Sequence, residues 1–202
     1  SLGMVLYEYE NTLPVTLDQM IEHTKSVIKA TSTSCVIMDL PFVTYEESKQ
    51  LALKNALTSI KETNCAGIKL EGGTLIEETV KYITDRGIPV MGHLGLTPQS
   101  IYKFGTYSVR AKEQDEATKL LEDAKALEDA GCFSIVFEKI PAELAKKVSE
   151  ELTIPTIGIG AGVDCDGQVL VLHDMLGITK DFSPRFLRRY SDLGEIIDGA
   201  VK

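Results

Sequence analysis

Short apolar runs alternate with longer amphipathic stretches along the whole chain, and this alternation limits the available folds more than any other feature. The runs at 35–40, 67–70, 89–94, 133–138, 156–160 and 169–173 are nearly continuous in their hydrophobicity, as strands buried on both faces are. Between them, 17–30, 46–63, 76–86, 115–130 and 142–152 place apolar residues at helical spacing. Thr16 and Pro141 suit helix starts. Gly87 and Gly131 fall where a left-handed residue ends a helix and turns the chain into the next strand. Repeated strand–helix units joined by right-handed crossovers make a parallel α/β sheet. No linker, low-complexity segment or charge block interrupts them, so 1–202 reads as one domain. The length buries a full core but is slightly short for eight strand–helix units.

In barrels of this kind, catalytic groups collect at the carboxyl ends of the strands. The six runs end on Asp39 before Leu40-Pro41-Phe42, then Lys69-Leu70-Glu71-Gly72-Gly73, Gly92-His93-Leu94-Gly95, Glu138, Gly158-Ile159-Gly160-Ala161-Gly162, and His173-Asp174. Ionisable groups recur where a purely structural barrel would carry small or apolar ones. Asp39 and Glu71, at neighbouring strand ends, offer oxygen ligands that suit a hard cation such as Mg²⁺. Lys69 lies two residues before Glu71, on the same face of its strand, where it suits a substrate carboxylate. A lysine bridged to a structural glutamate explains that pair equally well when it is taken alone.

Glu138 closes an otherwise apolar strand, a desolvated position suited to a general base or acid, or else it pairs with Lys139 at the rim. His93, flanked by Gly92 and Gly95, is placed to orient substrate or to bond a catalytic lysine or carboxylate; a satisfied core histidine is the competing reading. His23 reads as structural, and His173 is open. The glycine run at 158–162 lacks both the P-loop lysine and the dinucleotide-binding spacing. Asp164-Cys165-Asp166-Gly167 lacks the later acidic residue of a calcium loop and reads as a turn.

The formal net charge of −9 argues against nucleic acid or an anionic membrane as partner. Four scattered cysteines, without a CxxC pair, read as buried small hydrophobes in a reducing compartment. No apolar run reaches the roughly 20 residues of a membrane span, and no signal peptide is visible, so a cytoplasmic location is expected.

Several segments together resemble one family, ketopantoate hydroxymethyltransferase. They are Thr12-Leu13-Pro14-Val15-Thr16 with His23, Asp39-Leu40-Pro41-Phe42, Lys69-Leu70-Glu71-Gly72-Gly73, the HLGLTPQS run at 93–100, and the glycine run through His173-Asp174. The resemblance covers essentially the whole chain, and the HLGLTPQS run is its most specific part. It implies an α/β fold, a (β/α)8 TIM barrel of the phosphoenolpyruvate/pyruvate type, assembled as a homodecamer. It implies transfer of a hydroxymethyl group from 5,10-methylenetetrahydrofolate to 3-methyl-2-oxobutanoate, giving 2-dehydropantoate for pantothenate synthesis, with Mg²⁺ as cofactor.

Carried over by motif, Asp39 ligates the metal and touches substrate, Glu71 contributes to the metal site, Lys69 and Ser1 hold the substrate, and Glu138 accepts the proton. Such a metal would act as a Lewis acid on the 2-oxo group and stabilise the enolate formed at C3. The resemblance also places two further strands, and another metal-ligating aspartate, ahead of Ser1. The barrel is therefore expected to lack its first two strands here. Two alternatives stay open: a lyase or mutase of the same barrel class acting on a Mg²⁺-bound 2-oxo acid, and a non-catalytic barrel subunit.

Overall fold

A computed structural model of the chain describes residues 2–202. A short helix α1 (Leu2–Leu6) and helix α2 (Leu17–Ala30) precede the first strand, β1 (Ile37–Asp39). The chain then runs through α3 (Lys49–Thr63), β2 (Gly67–Glu71), α4 (Glu77–Thr84), β3 (Val90–Gly95) and α5 (Ile101–Phe104). It continues through α6 (Gln114–Asp129), β4 (Ser134–Glu138), α7 (Ala142–Glu151), β5 (Thr156–Ile159) and β6 (Gly167–Gln168). Helices α8 (Leu172–Met175) and α9 (Leu193–Val201) complete it. All six strands are parallel and lie in sequence order.

The local signals act as their chemistry requires. Thr16 caps α2 in a reciprocal capping box with Gln19, and Gly87 and Gly131 take positive φ after α4 and α6. Asn64 closes α3 in the left-handed conformation, an end the sequence did not announce.

Strand parity sorts the sheet into two faces. Met38, Ile68, Leu70, Val90, Ile135 and Phe137 point under the helices and are fully buried. The register sets Asp39 beside Lys69, Glu71 beside His93, and Gly95 beside Glu138, so the ionisable residues share the opposite face. A single-residue slip of any strand would send its charged groups into the helix-covered core.

The described residues form a six-stranded half-barrel with β1 and β6 at its edges, the strand count expected of a barrel without its first two strands. Two expectations need correction. The last strand is β6, and 169–173 forms no strand: His173 lies in α8, whose N–H groups turn back to Val171 and Leu172 rather than to a neighbouring strand. Its run of apolar residues is half-exposed, so burial never forces it into the sheet. Three cysteines are buried and free as expected, but Cys35 is exposed, because it precedes β1 in an uncovered loop. His23 packs edge-on to Tyr7 and bonds its hydroxyl at 2.8 Å, a structural role as read. Asp166 fixes a turn by accepting from the Thr156 N–H (2.8 Å) and hydroxyl (3.0 Å).

Candidate active site

Four neighbouring strands deliver alternating acids and bases to one end of the sheet. Lys69 Nζ lies 2.7 Å from Asp39 Oδ1 and 3.0 Å from His93 Nδ1. His93 Nδ1 stands 3.5 Å from Glu71 Oε1, and its Nε2 stands 3.3 Å from Glu138 Oε2. Asp39, Lys69, Glu71, His93 and Glu138 thus form one continuous cluster. Ser1 lies outside the described residues. His173 is not among the cluster's contacts.

Burial and charge work against each other throughout the cluster. Burial opposes a charge on Lys69, but Asp39, Glu71 and Glu138 reverse that and raise its pKa. Burial likewise disfavours ionised Glu71; the His93 contact, Lys69 and the Gln99 N–H outweigh it and lower the pKa. His93 resists protonation because it is buried and faces Lys69, yet Glu138 and Glu71 together hold its pKa above the ordinary imidazole value.

Two protonation forms fit the His93 geometry. In the neutral form Nδ1 accepts from Lys69, and in the cationic form it faces Glu71. Both put the Nε2 proton toward Glu138. That contact is out of line for a hydrogen bond, so Nε2 remains a buried donor without an aligned partner. A substrate oxygen beside Glu138 would supply one.

Around the cluster, Gln99 donates its backbone N–H to Glu71 Oε2 at 2.8 Å. Tyr45 OH donates to Gln99 Oε1 at 2.8 Å. The 3₁₀ turn Pro98–Ser100 that carries Gln99 lies within the HLGLTPQS run. Sequence reasoning gave no role to Gln99 or Tyr45; the partners of each are decided by the meeting of strand ends. On the far side, Lys139 Nζ donates to the Tyr107 carbonyl at 2.9 Å and ties the loop before α6 to the end of β4. Burial and then the nearby Glu138 raise the Tyr107 pKa, so its phenol stays protonated beside the cluster.

The cluster offers an incomplete cation site. Among the described residues, no three His, Cys, Asp or Glu side chains are gathered as a metal-binding set. Asp39 Oδ1 is nonetheless buried beside Lys69 with no aligned hydrogen bond, which leaves it acceptor capacity. Glu71 Oε2 is taken by Gln99, and Oε1 faces His93. Mg²⁺ takes as few as one or two protein carboxylates and keeps its waters, so Asp39 directly, with Glu71 directly or through water, fits such an ion.

A parallel α/β sheet carrying a buried acid–base cluster at its carboxyl ends is the scaffold of an enzyme. The family model described as ketopantoate hydroxymethyltransferase matches residues 1–202, and the chain belongs to that family. A 3-methyl-2-oxobutanoate hydroxymethyltransferase of Flavobacterium johnsoniae is 58% identical over 201 residues, covering 100% of this chain and 74% of that protein. One from Parabacteroides distasonis is 62% identical over 191 residues, covering 95% and 70%. A crystal structure of phosphonopyruvate hydrolase superposes with a TM-score of 0.57 at 11% identity, covering 98% of this chain and 68% of that one. The same enzyme in complex with oxalate and Mg²⁺ gives the same score. These two establish shared architecture only. The protein is a hydroxymethyltransferase by family, which sets the lyase, mutase and non-catalytic alternatives aside.

Proposed function

We propose that the chain transfers the one-carbon unit of 5,10-methylenetetrahydrofolate to C3 of 3-methyl-2-oxobutanoate, where with the oxygen of water it becomes a hydroxymethyl group, forming 2-dehydropantoate and releasing tetrahydrofolate. The observation that carries this reading is the unbroken Asp39–Lys69–His93–Glu138 chain of contacts, with Glu71 flanking His93. A 2-oxo acid needs three things to become a carbon nucleophile: charge compensation at its carboxylate, polarisation of its ketone, and a base at C3.

Lys69 supplies the first, held in its charged form by three carboxylates. Asp39, with Glu71, would hold Mg²⁺; when bound, that ion supplies Lewis-acid polarisation of the ketone. Glu138 removes the C3 proton, and His93 Nε2–H, which has no aligned protein acceptor, donates to a substrate oxygen beside Glu138. Ser1 holds the substrate, as the family resemblance implies. A protein of related fold has been solved in complex with oxalate and Mg²⁺.

The wider reading includes a (β/α)8 barrel, one domain over 1–202, for which six consecutive parallel strands supply most of the arc. It also includes a cytoplasmic homo-oligomer, a decamer by resemblance. Ile196, Ile197 and Val201, exposed on α9, are apolar surface that subunit contacts would cover. No helix among the described residues is long and apolar enough to cross a membrane.

The test is deuterium exchange at C3 of 3-methyl-2-oxobutanoate in Mg²⁺ buffer, followed by NMR. The chain should catalyse exchange without folate and form 2-dehydropantoate once folate is added. Glu138→Gln should abolish exchange while calorimetry still finds Mg²⁺ bound. Near-normal exchange in that variant would remove Glu138 as the base. No exchange by the unaltered chain would reject the reading.

A further inference from the structure

Tyr45 follows β1 by six residues, in a loop anchored when Asn55 of α3 donates its side-chain amide to the Thr44 carbonyl at 2.7 Å. The Tyr45 ring is almost wholly buried, and its hydroxyl lies among the ends of three strands. It donates to Gln99 Oε1 at 2.8 Å and accepts from the Glu71 backbone N–H at 3.2 Å. The Gln99 side-chain amide donates in turn to the Leu40 carbonyl at 2.9 Å, and the Gln99 backbone N–H donates to Glu71 Oε2 at 2.8 Å. Each polar group in this set has a partner, and together they join the segments at the ends of β1, β2 and β3.

Glu71 is therefore gripped twice, at its own N–H and at one carboxylate oxygen. Rotation about its side-chain bonds would break a buried hydrogen bond, so Oε1 is left at a fixed place facing His93. A cluster that served only to close the sheet end would not need to fix the carboxylate. Leu40 and the Glu71 backbone would be enough.

We infer that Tyr45 and Gln99 are positioning residues that aim the free oxygen of Glu71 into the reaction centre. This matters to catalysis only if Glu71 serves the transfer proposed above, which the experiment separates.

Tyr45→Phe removes one hydroxyl and nothing else; Gln99→Met keeps the side-chain length without polar atoms. Three measurements are made on the full chain: amide hydrogen exchange, Mg²⁺ titration in the presence of 3-methyl-2-oxobutanoate, and steady-state kinetics at saturating Mg²⁺. In both variants the Glu71 amide should lose about tenfold or more of its protection, while the amides of β4 keep theirs. Mg²⁺ affinity or kcat should fall about 10- to 100-fold, the usual effect of releasing a group that orients a ligand, with KM for the oxo acid little changed.

Folded variants within about twofold of the unaltered chain in kcat and Mg²⁺ affinity would overturn the inference. If Tyr45→Phe does not fold, Gln99→Met decides. If neither folds, the unaltered chain does: Glu71 and Gln99 amides that exchange as fast as exposed loop amides overturn the clamp. An unaltered chain with protected amides but no turnover and no Mg²⁺ binding would instead defeat the transferase reading.

Discussion

His93 Nε2 and Glu138 Oε2 face each other at 3.3 Å across the β3–β4 pair, close enough to attract but too poorly aligned to hydrogen-bond. A buried donor normally finds a partner, and leaving one without costs about 1–3 kcal/mol. A substrate oxygen placed beside Glu138 would supply that partner. Replacing His93 by Leu removes the donor at that point and also the cation that faces Glu71. The expected outcome is a loss of about 100-fold in kcat, in the usual range for a positioned acid–base group, measured by steady-state formation of 2-dehydropantoate.

Lys69 is the cation between Asp39 and His93, and the two other carboxylates also raise its pKa. Lys69→Met strands that negative charge in a buried place. Removing one partner of a fully buried ion pair costs about 3–5 kcal/mol; Asp39 is partly exposed and screened by solvent, so urea unfolding at neutral pH should show a loss of about 1–3 kcal/mol. Mg²⁺ should recover part of it, because a divalent ion replaces the lost charge and binds only the folded state. A variant that Mg²⁺ stabilises no more than it stabilises the parent would place the ion elsewhere.

Gly95 has φ +91°, and an added Cβ would run into the carbonyl oxygen of Glu138. Leu96 N–H donates to that same oxygen at 2.8 Å, so β3 and β4 close up at this residue. Gly95→Ala brings both backbone strain and a collision with main chain. We expect a loss of about 2 kcal/mol or more in denaturant unfolding, and a fall in proton exchange at C3 larger than the fall in substrate affinity.

Far from the site, Glu128 at the end of α6 accepts from the Thr153 N–H (2.6 Å) and hydroxyl (2.7 Å) and pairs with Lys125. Burial opposes its charge, but Lys125 and Thr153 prevail and hold its pKa down at about 2, against an ordinary 4.5. A depressed carboxylate stabilises the fold at pH above its unfolded value and loses that contribution as pH falls through the folded one. Unfolding free energy should therefore drop faster between pH 4.5 and 2 in the parent than in Glu128→Gln. At neutral pH the variant should be less stable by about 1 kcal/mol, a modest figure because solvent screens the pair. Parallel pH curves would show that Glu128 does not titrate as argued.

Much of the site could be read from the chain because strand ends are local events. Asp39, Lys69, Glu71, His93 and Glu138 each stand at or beside the last residue of an apolar run, and parity fixes which of them share a face. Tyr45 and Gln99 could not be read this way. Tyr45 sits in a loop with no periodicity, and Gln99 attracted notice only as part of a recognisable run. Their roles come from contacts 54 and 28 residues apart in sequence. The final strand differs for a related reason: hydrophobicity at 169–173 matched a strand, but pairing to β5 is made by Gly167 and Gln168 and ends where the Val169 N–H donates to the Gly158 carbonyl at 3.0 Å.

The sequence by itself determined the parallel α/β class, the helix starts and stops, and the set of ionisable strand ends, because propensity, capping and side-chain parity act over a few residues. Tertiary structure decided the pairing among those groups: which carboxylate Lys69 meets, which way His93 presents its protons, and what holds Glu71. Those outcomes depend on register between strands and on burial that turns weak aqueous attractions into strong ones, and neither exists until the sheet has formed.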